Sequence, residues 1–473
     1  MNVTGVDRPS PAGGVPARDR VRAAPRQPYP GRAARLLGDI RRAAAGAAPL
    51  TSPYHGYGPD LVGQLARRVE ALGSELVGLS HDLHAHPETA FAERHAAAAV
   101  ATALARHGVD VQVGAYGLQT AFRARVGAGA GSSVAVIAEY DALPGLGHAC
   151  GHNVICAVAV GAFIALAPHL GQLGGTVELI GAPAEESGGG KQLILDAGGF
   201  SGVDAAAMVH PGGFDVAAHP TLGRREVHVV YHGISAHAAL APHLGRNALD
   251  AAVDAYTGLA RLRQHMLPTD RLHAVITDGG RVPNVVPDRA ALVSQVRSFE
   301  TDSLAELCDR VDDVLRAAAL ATGTIAEVRW DGEPPYLPLR HNLALAARYA
   351  VHQVACGRTV LPPGVVPAEL TGSTDLGNVS QVLPVIQPLL AIAPPETNVH
   401  TAAFARSART PEADRGVLDG AYGLAATLAD YLADEALRTA VNAEFAEDRS
   451  ADPTTDAAPP AATGGGGYRE EIR

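Results

Sequence analysis

The chain contains 473 residues, which is too long for one core of ordinary size and predicts two or three domains. With 47% hydrophobic and 18% charged residues it can bury a large interior, so disorder over most of its length is excluded. The formal net charge of −11 argues against a general nucleic-acid-binding protein, because such a protein presents a basic face to the phosphates.

Cysteine content and hydropathy indicate the compartment. Four cysteines over this length do not form a disulfide framework, which favours a reducing, cytoplasmic environment. The longest apolar run, residues 154–167, has 14 residues and is shorter than the roughly 20 that span a bilayer, so it predicts a buried helix. The amino terminus shows no pattern of a secretory signal, and we expect no membrane association.

Both ends of the chain have the composition of tails. Residues 1–60 are rich in Pro, Gly, Ala and Arg and are predicted to form a disordered basic tail with one short helix over 34–45. Such a tail could contact nucleic acid or a membrane, but a solvated extension is the favoured interpretation. Residues 441–473, which include a stretch rich in Pro, Ala and Gly, are also predicted to be disordered.

The remaining pattern predicts a discontinuous catalytic domain, residues 61–222 and 333–440. Helices alternate with apolar strands over 134–138, 176–180 and 205–209, and a strand over 385–392 follows the interruption. This alternation predicts an α/β fold with a mostly parallel sheet and helices on both faces. The interruption, residues 223–332, has the order strand, helix, strand, strand, helix, strand, which is typical of an inserted ferredoxin-like α+β domain.

Chemically active side chains follow four of the predicted strands. In chain order they are Asp141, His148, Cys150 and His152, then Glu185, Glu186 and Lys191, then His210, and finally His400. Ligands of open α/β sheets bind at the carboxyl ends of the strands, so these residues predict a functional site there.

A thiolate, imidazoles and carboxylates form a ligand set suited to Zn²⁺ and less to Mg²⁺ or Ca²⁺. The Cys150–Gly151–His152 sequence alone is a weak metal signal. Together with Glu185, Glu186 and the later histidines, the candidates exceed the three protein ligands of a single catalytic zinc. Two metals roughly 3.5–4 Å apart, with one bridging ligand, fit this number better.

The Glu185–Glu186 pair predicts a division of labour. Adjacent residues leaving a strand point in different directions, so one carboxylate can bind metal while the other reaches a water molecule. A metal lowers the pKa of water to about 7, and the second carboxylate can pass the proton to a leaving amine. This arrangement indicates amide hydrolysis.

Seven strings carry a resemblance to a known family: EYDALPGLGHACGHN, APAEESGGGK, AMVHP, HGISAHAA, NALDAA, GGRVPNVVPD and STDLGNVS. Together they resemble the aminoacylase/carboxypeptidase superfamily of dinuclear metallo-amidohydrolases, which has a zinc-exopeptidase-like catalytic domain. Within it they are similar to the branch with the ACGH motif, and particularly to the Xaa-Arg (β-alanyl-lysine) dipeptidases and aminobenzoyl-glutamate hydrolases. The resemblance extends over residues 65–435.

Carried over position by position, the resemblance implies roles for the strand-end residues. Glu185 is implied as the general base, and Asp141 as the carboxylate that orients a ligand imidazole. The implied metal ligands are Cys150 as the bridge, His152, Glu186, His210 and His400.

The inserted domain is implied to be a lid and a dimerisation domain. In it, His237 resembles the residue that reaches a neighbouring active site and stabilises the oxyanion. Asn284 and Arg297 resemble groups that hold the carboxylate of the substrate. Closure of the lid would bring His237 and Arg297 toward the metals and exclude water.

One position departs from other members of the superfamily, which have a metal-binding His two residues before the Asp that matches Asp141. Here that residue is Glu139, and the ACGH branch generally lacks the His as well, so the departure supports the branch. Lys191 is the only lysine; its spacing does not match a phosphate-binding loop, and a packing or supporting role is favoured. His84 and His86 are typical of the family but are not assigned as ligands.

The sequence therefore predicts a metal-dependent amidohydrolase that cleaves a dipeptide or an N-acyl (aminobenzoyl-type) amino acid. The cofactors are two divalent ions, with Zn²⁺ favoured over Mn²⁺ or Co²⁺. Two alternatives remain: an N-acyl or N-carbamoyl amino acid deacylase with the same site, and a catalytically silent metal-binding scaffold. We expect a homodimer formed through the inserted domain and no nucleic-acid or membrane partner.

Overall fold

The computed structural model describes residue 29 and the ranges 31–128 and 131–451. The elements before the insertion are α1 (Arg32–Gly46), α2 (Pro59–Ala85), α3 (Arg94–Ala105), β1 (Val111–Val113), β2 (Phe122–Gly127), β3 (Ser133–Glu139), α4 (His152–Leu166), α5 (Leu170–Leu173), β4 (Thr176–Ala182), α6 (Gly190–Asp196), β5 (Ala205–Ala207) and β6 (His210–Gly212). The insertion contains β7 (Gly223–His232), α7 (Ala248–Leu262), β8 (Arg271–Asp278), β9 (Arg289–Ser298), α8 (Thr301–Thr322) and β10 (Ile325–Trp330). The chain continues with α9 (Leu343–Ala355), α10 (Leu376–Ser380), β11 (Val385–Ile386), β12 (Leu389–Ala391), α11 (Ala402–Ser407), α12 (Pro411–Ala433) and α13 (Glu435–Ala451).

A six-stranded sheet in the order β1-β2-β4-β3-β5-β11 forms the centre of the larger part. Strands β4, β3, β5 and β11 are parallel, and β2 and β1 add an antiparallel edge. Along β3, Val134 and Val136 belong to one apolar cluster while Ala135 and Ile137 belong to another. Because alternate side chains of a strand point to opposite faces, both faces of the sheet are covered. The predicted mostly parallel α/β sheet is confirmed.

Helix α4 is the central helix of this part. All of its residues are buried, and α2 and α12 pack against it. The helical stretch His152–Leu173 is long and apolar enough to cross a membrane by length and composition, but 78% of its most apolar window is buried inside the fold. It is a core helix, as its sequence predicts.

The insertion forms a four-stranded antiparallel sheet in the order β10-β7-β9-β8. Helices α7 and α8 cover one face and form an apolar core with it that includes Val227, Leu259, Leu292 and Leu315. This is the ferredoxin-like arrangement that the element order predicts. The inserted elements occupy residues 223–330.

The prediction of one continuous strand over 385–392 is wrong. Residues 385–386 form β11 in the central sheet, whereas 389–391 form β12, which pairs with β6 in a separate two-stranded sheet. Pro388 lies between them and has no N–H to donate to a strand ladder. Its carbonyl instead accepts the N–H of His210 at 2.9 Å, so this break directs the chain toward the site.

The predicted tails are partly ordered, so that prediction is wrong for residues 31–60 and 441–451. Helix α1 places Ile40, 1% exposed, in a small apolar cluster with Val216, Leu361 and Val366. Helix α13 extends to residue 451, and Val441 within it is fully buried. The apolar partners of both helices are distant in sequence, so composition alone does not reveal them. The rest of the predicted tails, residues 1–28, 30 and 452–473, lies outside the described residues.

Candidate metal centre

The carboxyl ends of β3, β4 and β5 bring the candidate residues to one edge of the central sheet. These strands are parallel neighbours, so the segments that follow them meet. His400 arrives from the loop after β12, where its main-chain N–H donates to the carbonyl of Ala149 at 2.8 Å. The segments after the three strands supply Asp141, Cys150, His152, Glu185, Glu186 and His210.

The backbone around these residues adopts conformations that most side chains disfavour. Gly151, between Cys150 and His152, has φ +82°, and a Cβ there would lie 2.9 Å from the ring of Pro211. Ala184, directly before Glu185, and His400 both have φ +60°. Non-glycine residues seldom adopt this left-handed conformation, and such strain concentrates at functional sites.

Two groups of ligand atoms share the sulfur of Cys150. One contains Cys150, His152 and His210, and the other contains Cys150, Glu186 and His400; within each group the atoms lie within 4.8 Å of one another. The Cys150 Sγ is 3.4 Å from His210 Nε2, and Glu186 Oε1 is 3.4 Å from His400 Nε2. Ligand atoms on a tetrahedral zinc are roughly 3.3–3.6 Å apart, given bonds of 2.0–2.3 Å. The residues present therefore fit two cations bridged by a thiolate.

Asp141 connects the two groups. Its Oδ1 accepts the Nδ1–H of His152 at 2.9 Å, and its Oδ2 accepts the main-chain N–H of Glu186 at 3.0 Å. Since the neutral imidazole carries one proton, Nε2 of His152 presents a lone pair. This buried Nε2 and the Oε1 of Glu186 have no hydrogen-bond partner among the described residues, as expected of atoms that a cation satisfies.

The centre contains more negative than positive charge. Five carboxylates, Glu139, Asp141, Glu185, Glu186 and Asp375, lie in or against it, and each side chain is at most 10% exposed. The ammonium of Lys191 is the fixed cation among them. Buried charges require compensation, and divalent cations would supply it.

The two adjacent glutamates differ electrostatically. Burial, followed by the charges of Glu139 and Glu186, raises the pKa of Glu185 well above its usual value. Burial also opposes ionisation of Glu186, but its contact with His400 and the charge of His152 outweigh this and lower its pKa to about 2. Glu186 is thus the anionic member of the pair, and Glu185 is the member that can hold a proton.

Three residues that support the centre do not follow from sequence reasoning as site residues. Asp375 comes from the amino end of α10 and pairs with Lys191, which also pairs with Glu139 at 2.5 Å. Tyr336 donates its hydroxyl proton to the main-chain carbonyl of Glu185. A lone lysine in an apolar stretch was the only local signal, and it does not identify its partners.

The predicted residues of the inserted domain divide into two sets. Arg297 on β9 reaches the larger part, where its guanidinium donates to Ser373 Oγ at 3.0 Å. His237 and Asn284 instead lie together on exposed loops, where the main-chain N–H of Ala238 donates to the carbonyl of Asn284. No recorded contact within this chain joins either of them to the Cys150 groups, among the residues that the structure describes.

His84 and His86 lie outside the centre, in agreement with leaving them unassigned. His84 Nε2 contacts the carbonyl of Ala405 at 2.7 Å. His86 forms an exposed cluster with Asp82 and His95 on α2 and α3.

Comparisons with known proteins agree with this geometry. The family described as peptidase dimerisation domain matches residues 221–323, which cover most of the insertion. The Xaa-Arg dipeptidase of Mus musculus is 36% identical over 401 residues, covering 80% of this chain and 91% of the relative.

A p-aminobenzoyl-glutamate hydrolase from Escherichia coli is 32% identical, covering 78% of this chain and 91% of the relative. The crystal structure of a dinuclear metal-binding peptidase of the M20 family from Bacillus subtilis shares the fold, with a TM-score of 0.60 and 22% identity, covering 76% of this chain and 98% of that one. On the strength of its relatives and its inserted domain, the chain belongs to the M20 family of metallopeptidases.

Proposed function

We propose that this chain hydrolyses the amide bond of a dipeptide or an N-acyl amino acid with two divalent cations, Zn²⁺ in preference to Mn²⁺ or Co²⁺. The observation that carries the proposal is the position of Cys150, whose sulfur belongs to both groups of ligand atoms in a buried, negatively charged centre. Thiolate and imidazole ligands favour zinc. The relatives named as a dipeptidase and an aminobenzoyl-glutamate hydrolase support the substrate class.

Glu185 has the properties of the general base. When bound, divalent cations polarise an amide carbonyl and acidify water. Glu185 Oε2 is 3.8 Å from His152 Nε2 but belongs to neither Cys150 group, so it is next to the ligands and available for proton transfer. Its raised pKa lets it take a proton from water and deliver it to the leaving nitrogen. The hydroxyl of Tyr336 fixes the main chain at this residue.

Arg297 has the properties of a group that holds the carboxylate of the substrate. Its guanidinium donates to two neutral acceptors, Ser373 Oγ at 3.0 Å and Gln295 Oε1 at 3.1 Å. Burial, and then the charge of Arg224, lower its pKa, so a nearby anion would be stabilised by two cationic side chains. A planar guanidinium binds a carboxylate through two parallel hydrogen bonds. Asn284 would assist from the loop of a closed or neighbouring lid.

His237 is oriented for donation to an oxyanion. Its Nδ1 accepts main-chain N–H groups of Ala239 and Leu240 at 3.3 and 3.1 Å. The neutral ring therefore carries its proton on Nε2, which faces outward as a hydrogen-bond donor. Because His237 is exposed and no recorded contact joins it to the centre of its own chain, we propose that it serves the centre of a second copy.

The inserted domain is the proposed interface of a homodimer. Its match to a peptidase dimerisation domain supports this. Strand β8 forms one edge of its sheet, and apolar side chains on β8 and the adjoining α7 are exposed, namely Val253, Tyr256 and Val275 at 47%, 43% and 56%. An edge strand flanked by exposed apolar residues is a surface that a second copy can cover.

We also propose a cytoplasmic location. All four cysteines are free, and a ligand thiolate at Cys150 requires a compartment that keeps thiols reduced.

The test is hydrolysis by protein that has been stripped with a chelator and reloaded with Zn²⁺, Mn²⁺ or Co²⁺. The substrate panel contains dipeptides with basic and neutral carboxyl-terminal residues, N-aminobenzoyl amino acids, and N-acetyl and N-carbamoyl amino acids. We expect metal-dependent cleavage of dipeptides or N-aminobenzoyl amino acids. Cleavage of N-acetyl or N-carbamoyl substrates alone would favour the deacylase. Metal binding with no hydrolysis of any substrate would favour the silent scaffold and overturn the proposal.

A further inference from the structure

Glu139, the last residue of β3, is completely buried, and its two oxygens have different surroundings. Oε1 accepts from the ammonium of Lys191 at 2.5 Å. Oε2 has no hydrogen-bond partner among the described residues, although it is buried. It lies 3.5 Å from Nε2 of His152. A buried carboxylate oxygen without a partner costs free energy unless a cation satisfies it.

The imidazole of His152 does not supply a proton to this oxygen. Nδ1 of His152 donates to Asp141, so Nε2 presents a lone pair toward Glu139 Oε2. Two lone pairs 3.5 Å apart repel each other, and a shared cation converts that repulsion into attraction. Glu139, His152 and Glu185 each offer one such atom, and all three atoms lie within 4.8 Å of one another.

Lys191 determines which oxygen of Glu139 faces the imidazole. Its side chain is completely buried and contacts both Glu139 and Asp375. Its main-chain N–H also donates to Asp375 Oδ2 at 2.9 Å, which fixes the start of α6. The preceding Gly190 has no space for a side chain, because a Cβ would lie 1.8 Å from the carbonyl oxygen of Pro183. Lys191 therefore holds Oε1 and leaves Oε2 directed toward His152.

We propose that Glu139 is an additional ligand of the cation at His152, and that Lys191, held by Asp375, is the positioning residue that directs its free oxygen there. The inference rests on the proposed dinuclear centre. It makes the two cation positions unequal. The position at His152 then has four protein ligands, Cys150, His152, His210 and Glu139, which is typical of a closed zinc site. The position at Glu186 and His400 has three, including the shared Cys150, and keeps an open place, which is typical of a catalytic one.

The experiment measures cation binding by the full-length protein after removal of metal. Zn²⁺ affinity is measured by chelator competition, and the coordination of Co²⁺ by its visible absorption spectrum. We compare the wild type with Glu139→Gln, Glu139→Asp and Lys191→Met. The matched control is Glu178→Gln, which removes another buried carboxylate, on β4, that pairs with Arg123 at 2.8 Å outside the centre.

We expect two cations per wild-type chain. Glu139→Gln and Glu139→Asp, the latter of which withdraws the carboxylate, should weaken one of the two by roughly 10- to 100-fold and leave the other unchanged. Lys191→Met should do the same, and the Co²⁺ spectrum should change only for the weakened position. Glu178→Gln should bind both cations as the wild type does.

Folded Glu139→Gln that binds both cations with wild-type affinity and an unchanged Co²⁺ spectrum would overturn the inference. If Lys191→Met does not fold, Glu139→Gln decides alone, because it keeps the side-chain size and an acceptor for Lys191. A wild type that binds no divalent cation would overturn the proposed function itself. A wild type that binds two, with Glu139→Gln indistinguishable from it, would overturn only this inference.

Discussion

Asp141 and His152 form a completely buried pair in which Oδ1 of the carboxylate accepts the Nδ1–H of the imidazole at 2.9 Å. The other oxygen of Asp141 accepts the main-chain N–H of Glu186 at 3.0 Å. One carboxylate thus orients a residue from each of the two Cys150 groups. Such partners of metal ligands fix the tautomer of the imidazole and raise its basicity.

Replacing Asp141 with Asn should lower cation affinity by roughly 10- to 100-fold. An amide has one acceptor oxygen, so if it accepts from His152 its NH₂ faces the N–H of Glu186. Competition with a chromophoric chelator measures the change. Asp204→Asn is the matched control, because Asp204 Oδ2 accepts the main-chain N–H of Ser133 at 2.8 Å at the opposite end of β3. Equal affinities for Asp141→Asn and the wild type would contradict the assigned role.

The two adjacent glutamates should respond differently to the same substitution. Glu185→Gln should retain both cations and lose roughly 10²- to 10⁴-fold in kcat, since it removes only the proton acceptor. Glu186→Gln should lose cation occupancy, because it removes a ligand. Metal content after desalting, measured beside the turnover rate, separates the two effects. An inactive Glu186→Gln that still holds two cations would show that the roles are assigned wrongly.

If His237 acts on the centre of a second copy, His237→Ala should reduce kcat by roughly 10²- to 10³-fold and leave metal content unchanged. Mixing inactive His237→Ala and Glu185→Gln chains, with exchange of subunits, should then restore activity. Half of the dimers would be mixed, each with one complete centre, which gives about a quarter of the wild-type rate. His265→Ala, an exposed histidine of the same domain, is the control. Absence of recovery in confirmed mixed dimers would show that His237 does not act across the interface.

Glu93 should make stability depend on pH. It is completely buried and accepts from the hydroxyl of Thr120 at 2.7 Å and from the main-chain N–H of Ala184 at 3.0 Å. Burial is the main cause that raises its pKa from about 4.5 to about 7.

The folded chain therefore binds this proton more tightly than the unfolded chain. Its contribution to the free energy of unfolding is greatest below about pH 4.5 and falls as pH rises to about 7, by about 3 kcal/mol in total. Urea unfolding of the wild type and Glu93→Gln at a series of pH values measures this contribution. The stability difference between wild type and variant should decline over this window, and parallel pH curves would contradict the prediction.

Helix α1 should contribute to stability although it lies in a segment with the composition of a tail. Ile40→Ala should lower the free energy of unfolding by about 2–5 kcal/mol, because it leaves a cavity beside Val216 and Leu361. Arg42→Ala on the exposed side of the same helix should have little effect. Equal stabilities of the two variants in urea unfolding would mean that α1 is not packed in solution.

The strands, the helices of the insertion and the main candidate residues could be predicted from sequence because each has a local signature. The apolar runs of β3 and β4 predict buried parallel strands, and the Cys150–Gly151–His152 and Glu185–Glu186 pairs directly follow or lie near strand ends. The alternation of residue types along β7 and β9 predicts half-buried strands in the same way. Periodicity fixes which side of an element is buried, and chain order fixes which loop follows which strand.

Only the tertiary structure decided which of these side chains meet. Lys191 and Asp375 are 184 positions apart, and no local pattern pairs them. The break at Pro388, which moves β12 from the central sheet to β6, likewise places His400 against Ala149. Such contacts depend on the order and register of strands from distant segments, and on whether buried charges find compensation, whereas a sequence pattern reports only the preferences of neighbouring residues.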